Sequence, residues 1–309
     1  MEDDPDAQRR IITRRRGNRL GFWFFKVALR LFGLRGAYGL LYIVCAWYVI
    51  FDRTAVRIAQ TYLRRRFRGA SPGRLLRLAY QLFISQGRSL IDRHALISGH
   101  VAFEFETAGF ERLHAALSAP RPGCILLICH AGNWQLAMSH LPRLDRPICS
   151  LMRPEDNPAV AESLRINPLG SSFRIVSPEQ FMGGVVELLN ALQAGEIVMM
   201  MGDRGYGYST VDVPFLGDPA AFPGGAFTLA AAAGCPIVVL LTAKTGTTQY
   251  RIEVPAVFRP RYVPGRPKKE QLGAWVREYA AILESYCQRY PLQFFLFHDV
   301  WAEASTQRP

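Results

Sequence analysis

The 309-residue sequence has no GxSxG turn and no GxxxxGK[ST] loop, which argues against a serine hydrolase and a P-loop nucleotide enzyme. Its six histidines include no HExxH pair, and its six cysteines include no CxxC pair. Neither a zinc site nor a disulfide framework is therefore expected, and no metal or nucleotide cofactor. Most of the cysteines (Cys45, Cys124, Cys129, Cys149, Cys235, Cys287) lie in apolar stretches, where Cys acts as a small hydrophobe. That usage fits a reducing, cytosolic-side protein. There is no internal repeat and no low-complexity tract, and no cleavable leader is expected, because the first apolar run starts late and lacks a small-residue cleavage site. Acidic residues are scarce, 25 against 37 Lys and Arg, for a net charge of +12.

That excess is concentrated. Residues 1 to 70 hold fifteen Lys or Arg against five acids, with runs at Arg14-Arg15-Arg16 and Arg64-Arg65-Arg66. Such a segment needs an anionic partner, nucleic acid or a membrane surface. The aromatic and aliphatic neighbours Phe22 to Phe25, Leu29, Leu31 and Phe32 favour the membrane, because basic residues flanking greasy helices are interfacial anchors. No nucleic-acid partner is expected. The uncharged run Gly36 to Phe51 has 16 residues. Its helical length of about 24 Å falls short of a hydrocarbon core of roughly 30 Å. Lys26 and Arg30 interrupt any extension toward the N-terminus. A monotopic or re-entrant anchor is expected, with a buried core helix as the alternative.

Apolar periodicity divides the chain into three parts: a basic tail over 1–19, a helical membrane-associated region over 20–118 and an α/β domain over 119–309. The breaker Ala119-Pro-Arg-Pro-Gly123 marks the change. Strands are predicted at Cys124–Cys129, Ile148–Leu151, Ile197–Met201 and Ile237–Leu241, and helices at Leu136–Leu141, Phe181–Ala194, Gly225–Ala233 and Leu272–Tyr290. Alternation of this kind implies an α/β layer with a largely parallel sheet.

Three stretches carry chemistry. The predicted strand Cys124–Cys129 ends at His130 before a small-residue turn and a helix, and strand ends are where ligands bind in open α/β sheets. A histidine at a helix N-terminus is kept neutral by the helix dipole, so it is ready to accept a proton. A satisfied core histidine is the competing explanation. The second stretch, Met199-Met-Met-Gly-Asp203-Arg204-Gly, sets an acid at another strand end, where it could hold a histidine's Nδ1 or simply pair with Arg204. The third runs from Val213 through Gly217 to Gly224-Gly225, where backbone N–H groups at a helix start could hold an oxyanion or phosphate. A plain loop-to-helix junction would look the same. His140 is expected to be structural, and His94, His100, His114 and His298 have no ligand spacing.

In this order the stretches resemble the lysophospholipid acyltransferase superfamily, in its lipid A acyltransferase branch. The supporting motifs are His130-Ala-Gly-Asn133-Trp134-Gln135, Met152-Arg153-Pro-Glu-Asp-Asn157-Pro158 followed by Arg165, Gly202-Asp203-Arg204-Gly205, Val213-Pro-Phe215-Leu-Gly217 with Phe222-Pro-Gly224-Gly225, and Tyr290-Pro-Leu-Gln293-Phe-Phe295. The resemblance implies a glycerol-3-phosphate acyltransferase-like α/β fold, a mixed or parallel sheet with flanking helices, preceded by N-terminal membrane-associated helices. It implies an enzyme on the cytoplasmic face of a bacterial inner membrane that moves a fatty acyl group from an acyl-carrier-protein or coenzyme A thioester. The acceptor is a hydroxyl or amine of a lipid or lipid precursor. His130 would be the general base, with Arg153, Arg165 and Arg204 as substrate clamps. Asn133 and N–H groups at Gly224 and Gly225 would serve the oxyanion, and Trp134, Phe215 and Gly217 would belong to the substrate site.

The sequence departs from the family at one position. Where the family carries an acid five residues after the histidine, this chain has Gln135, an amide that cannot support imidazolium by charge. Either Asp203 has taken over the acid's place, or Gln135 only orients His130, or the chain is a binding-only relative. The first is favoured, because an orienting acid at a strand end has the right chemistry.

Overall fold

Five consecutive buried residues, Cys124 to Ile128, make the central strand β2 of the main sheet. A strand covered on both faces needs apolar side chains at every position rather than at alternate ones. The computed structural model describes residues 19–118, 122–140, 146–152, 173–179, 181–205 and 209–302. Around β2 lie β3 (Ile148–Leu151), β4 (Phe173–Val176), β5 (Ile197–Met201), β8 (Ile237–Val239) and β11 (Val257–Phe258). The order is β11-β8-β2-β5-β3-β4, parallel throughout except for the antiparallel edge strand β11. Helix α4 (Phe110–Leu117) precedes β2, and helices α5 (Trp134–His140), α6 (Val185–Gln193) and α7 (Gly225–Ala233) fall between these strands in the chain. The expected α/β class is the observed one.

One register positions the site. β2 pairs with β5 from Cys124 opposite Ile197 to Ile128 opposite Met201, and Gly202 N–H continues the ladder to the Ile128 carbonyl at 2.9 Å. Both strands therefore end at the same level, and the residues that follow them emerge side by side.

A second sheet contains β1 (Glu104–Ala108), β10 (Gln249–Glu253) and β9 (Leu241–Lys244), with β1 parallel and β9 antiparallel to β10. The chain passes from β8 to β9 through Leu240 alone, so one extended segment serves both sheets. β1 lies inside the stretch expected to be helical. β6 (Thr210–Phe215) and β7 (Asp218–Pro223) form a hairpin where a loop was expected. Its turn uses left-handed backbone at Leu216 (φ 52°) and Gly217 (φ 86°). The helix expected from Phe181 opens with a 3-10 turn, because Gly183 and Gly184 take left-handed conformations before α6 begins. Near the C-terminus α8 spans Lys268–Arg289.

At the N-terminal end, α1 (Arg19–Phe51) is a 33-residue helix kinked at Gly33, where φ is 64°. It is followed by α2 (Arg53–Arg66), capped by Asp52, and α3 (Pro72–Ile97), capped by Ser71. Leu34, Tyr38, Leu41 and Cys45 recur at helical spacing on one buried face of α1. Leu41 packs so closely on Gly87 of α3 that a Cβ there would lie 2.3 Å from its methyl. The opposite face exposes Leu31, Phe32, Ile43, Trp47, Ile50 and Phe51. Trp23–Phe51 is long and apolar enough to cross a membrane. The helix extends past the uncharged run, because Lys26, Arg30 and Arg35 are carried on exposed positions without ending it. Only 28% of its most apolar window is buried, which argues against the alternative of a core helix.

Candidate active site at the ends of β2 and β5

Beyond the ends of the two strands, the His130 ring meets the Asp203 carboxylate. Nδ1 lies 2.9 Å from Oδ2 and 3.0 Å from Oδ1, and the His130 backbone N–H donates to Oδ2 at 3.1 Å. Asp203 is fully buried, whereas the His130 side chain is 26% exposed. The buried face is thus the Asp203 side, and Nε2 is the nitrogen left for a reacting group. Burial holds the imidazole below the usual histidine range, against the pull of Asp203 and aided by the nearby Arg204 guanidinium. For Asp203 burial acts to raise the carboxyl. His130, its hydrogen bonds and Arg204 outweigh that and keep it below the ordinary aspartate value. The resting pair is therefore neutral imidazole with carboxylate, the state of a general base with its orienting acid.

The turn after His130 is fastened from several sides. The C-terminal segment pairs antiparallel with it at Ala131 and Phe294, with Phe295 N–H on the His130 carbonyl (2.7 Å) and Gly132 N–H on the Gln293 carbonyl (2.8 Å). Gly132 has φ 57°, and a Cβ there would stand 2.0 Å from the Thr242 carbonyl oxygen, so this turn requires glycine. Thr242 Oγ1 accepts from Asn133 N–H (2.8 Å) and donates to the Ala131 carbonyl (3.2 Å). The Gln293 side chain grips Lys244, accepting its N–H at 2.7 Å and donating to its carbonyl at 2.8 Å. Gln293 appeared in the sequence as a motif member without a role. Thr242 and Ser89 gave no signal, because single hydroxyls in apolar segments are common.

Several expected site residues have other duties. Asn133 is buried: its Nδ2 donates to the Ser89 carbonyl (2.7 Å), and Oδ1 accepts from Leu136 N–H (3.3 Å) at the start of α5. It caps a helix and binds α3, structural duties beside the oxyanion role expected for it. Arg204 is tied to the Phe295 carbonyl at 2.7 Å and lies 3.9 Å from Asp203, so it braces the segment that carries the acid. Phe215 is fully buried in the core, stacked on Trp301 at 5.8 Å. Gly217 makes the hairpin turn against which Arg68 packs, with Arg68 donating to the Leu216 carbonyl at 2.8 Å. Gly224 caps α7 without a side-chain bond and packs on Leu272, and open space surrounds Gly225. Trp134 opens α5, partly buried on the apolar cluster around Leu126 and Met138. Gln135 is half-buried in the first turn of α5, and Asp203 rather than Gln135 occupies Nδ1. Arg153 and Arg165 lie outside the described residues.

The fold is an α/β layer with a histidine–aspartate pair at the carboxyl ends of two adjacent parallel strands. The family model described as bacterial lipid A biosynthesis acyltransferase matches residues 20–303, and the chain belongs to that family. It is accordingly an acyltransferase, of a kind that moves an acyl group from a thioester donor to a lipid acceptor. No curated protein is a significant match to the chain.

Proposed function

We propose that the chain transfers a fatty acyl group to a lipid A precursor or a related lipid, with His130 as general base and Asp203 as its orienting acid. The acceptor hydroxyl or amine gives its proton to Nε2 of His130 as its oxygen or nitrogen attacks the thioester carbonyl. The tetrahedral intermediate then collapses, the C–S bond breaks, and the imidazolium returns the proton to the departing thiolate of acyl-carrier protein or coenzyme A. Asp203 steadies the imidazolium between the two steps and fixes the tautomer with hydrogen on Nδ1. No metal or nucleotide takes part in this scheme.

The observation that carries the proposal is the contact of buried Asp203 with His130 Nδ1 beside an exposed ring edge. It supports the view that the charge missing at Gln135 is supplied from the end of β5. The exposed aromatic and aliphatic face of α1, with the basic residues around it, supports a seat on an anionic membrane surface, the cytoplasmic face of the inner membrane by family analogy.

The test is thioester consumption by purified protein in anionic vesicles, comparing acyl-carrier-protein and coenzyme A donors, with extracted lipids as acceptors. Turnover that survives His130→Ala would overturn the mechanism. No turnover from the unaltered protein with any acceptor, together with tight lipid binding, would favour a binding-only relative.

A further inference from the structure

A second buried ionic cluster lies outside the His130–Asp203 pair. Asp92 on α3 is completely buried, and three groups from three other elements converge on it. The Tyr38 hydroxyl of α1 donates to Oδ1. The Lys244 ammonium of β9 and the Tyr250 hydroxyl of β10 donate to Oδ2, each at 2.5 Å. Lys244 is only 12% exposed and stands 4.7 Å from the centre of the Tyr250 ring. A buried ion pair adds little net stability, because desolvation offsets most of the attraction. What it does provide is geometry: both hydroxyls meet the Asp92 carboxylate, and the Lys244 ammonium spans Asp92 and the Thr247 carbonyl.

The cluster leads directly to the active-site turn. One helical turn before Asp92, Ser89 accepts from the Asn133 amide at 2.7 Å and its hydroxyl donates to the Gly132 carbonyl at 3.2 Å. On the other side, Lys244 is gripped through its backbone by Gln293, whose carbonyl holds Gly132 N–H. Asp92 therefore joins two separate supports of the Ala131–Asn133 turn, one through α3 and one through β9. Tyr38 brings α1 into the same junction. It lies on the buried face of the helix whose opposite face is exposed and apolar.

We propose that Asp92 is a positioning residue for His130, and that the Tyr38 hydroxyl is the joint through which the seating of α1 on a membrane sets the Ala131–Asn133 turn. The proposal rests on the membrane reading of α1, and its kinetic readout rests on His130 as the base; the exchange readout stands without the latter. Seating α1 restrains Tyr38, which holds Asp92 and, through Ser89 and Lys244, stiffens the turn that presents the imidazole. Without the Tyr38 hydroxyl, α1 stays bonded to α3 through Tyr42, which accepts from Tyr80 and Arg88, but no longer reaches the Asp92 carboxylate.

The test is amide hydrogen exchange at residues 130–136, free and on vesicles of phosphatidylethanolamine and phosphatidylglycerol, with vesicle pelleting measured alongside. Unaltered protein, Tyr38→Phe and Asp92→Asn are compared. Tyr38→Phe keeps the ring and its packing, so it decides the matter if Asp92→Asn fails to fold. In the unaltered protein, vesicles are expected to slow exchange at Gly132 and Asn133 by about tenfold or more. Tyr38→Phe is expected to pellet equally well, to lose most of that slowing, and to show a lower kcat with the KM for thioester unchanged. Vesicle-bound unaltered protein without slowing, or Tyr38→Phe that is slowed as much, would overturn the coupling while leaving the membrane reading intact. Failure of the unaltered protein to pellet would overturn both.

Discussion

Asp203 and His130 are 73 positions apart in the chain, yet two atoms of His130, its backbone nitrogen and Nδ1, both bond the Asp203 carboxylate. Such double attachment holds the ring plane as well as its position. Of the Asp203 contacts, only the one at Nδ1 depends on the tautomer.

Replacing Asp203 by Asn preserves the shape but can place an N–H against Nδ1, which favours the wrong tautomer and removes the charge. Turnover is expected to fall by about four powers of ten, the scale for an orienting acid in such a pair. Thioester consumption measures it. A loss under tenfold would mean that Asp203 is not the acid that matters.

Gln135 occupies the family's acid position, but His130 Nδ1 is already held by Asp203. Gln135→Ala and Gln135→Glu are expected to change kcat/KM by no more than about threefold, equivalent to about 0.6 kcal/mol. A large gain in Gln135→Glu would show that the chain lacks a working acid in its present form.

The pH profile follows from the sign of the His130 shift. The neutral ring is the active form, and burial holds its pKa below the ordinary histidine value of 6.5. The rate should therefore be level near neutrality and fall as pH drops through a midpoint below 6.5. Asp203 is the group that pulls this pKa up, so residual activity in Asp203→Asn should have its midpoint lower still. A midpoint above the ordinary histidine value in kcat/KM would contradict the assignment.

Asn133→Ala distinguishes a cap from an oxyanion donor. Loss of the cap costs about 0.5–2 kcal/mol, with the broken Ser89 link in addition. Thermal unfolding should move down together with activity. A fall in kcat with an unchanged Tm would instead favour the oxyanion role for Asn133.

Gln293→Leu strands the Lys244 N–H and carbonyl, which are paired with the Gln293 amide. Each unsatisfied group costs about 1–3 kcal/mol where water cannot reach it. Thermal or denaturant unfolding should show a clear loss of stability. Gln293→Glu, which keeps the acceptor but not the donor, should fall between.

The sheet was legible because its strands are short, wholly apolar runs. Cys124–Ile128 and Ile197–Met201 stand where the sequence placed them. Among the strands that escaped notice, β1, β4 and β10 carry exposed charged or polar side chains such as Glu104, Arg174 and Gln249, so no apolar run announces them. Phe215 and Asn133 were given substrate roles because they stand in recognisable motifs. A motif marks which residues matter without saying which way their side chains turn.

Alone, the sequence determined the class of the fold, the family, and the placing of His130 and Asp203 after strands, because apolar period and motif order are local properties of the chain. Only the tertiary structure decided that the two meet, that Gln135 is not the partner at Nδ1, and that Asn133 turns inward. Those outcomes depend on the register of β2 against β5 and on the packing of α3 and the C-terminal segment around one turn. Register is a relation between distant segments, set when both bury their side chains in a shared core, and no single segment contains it.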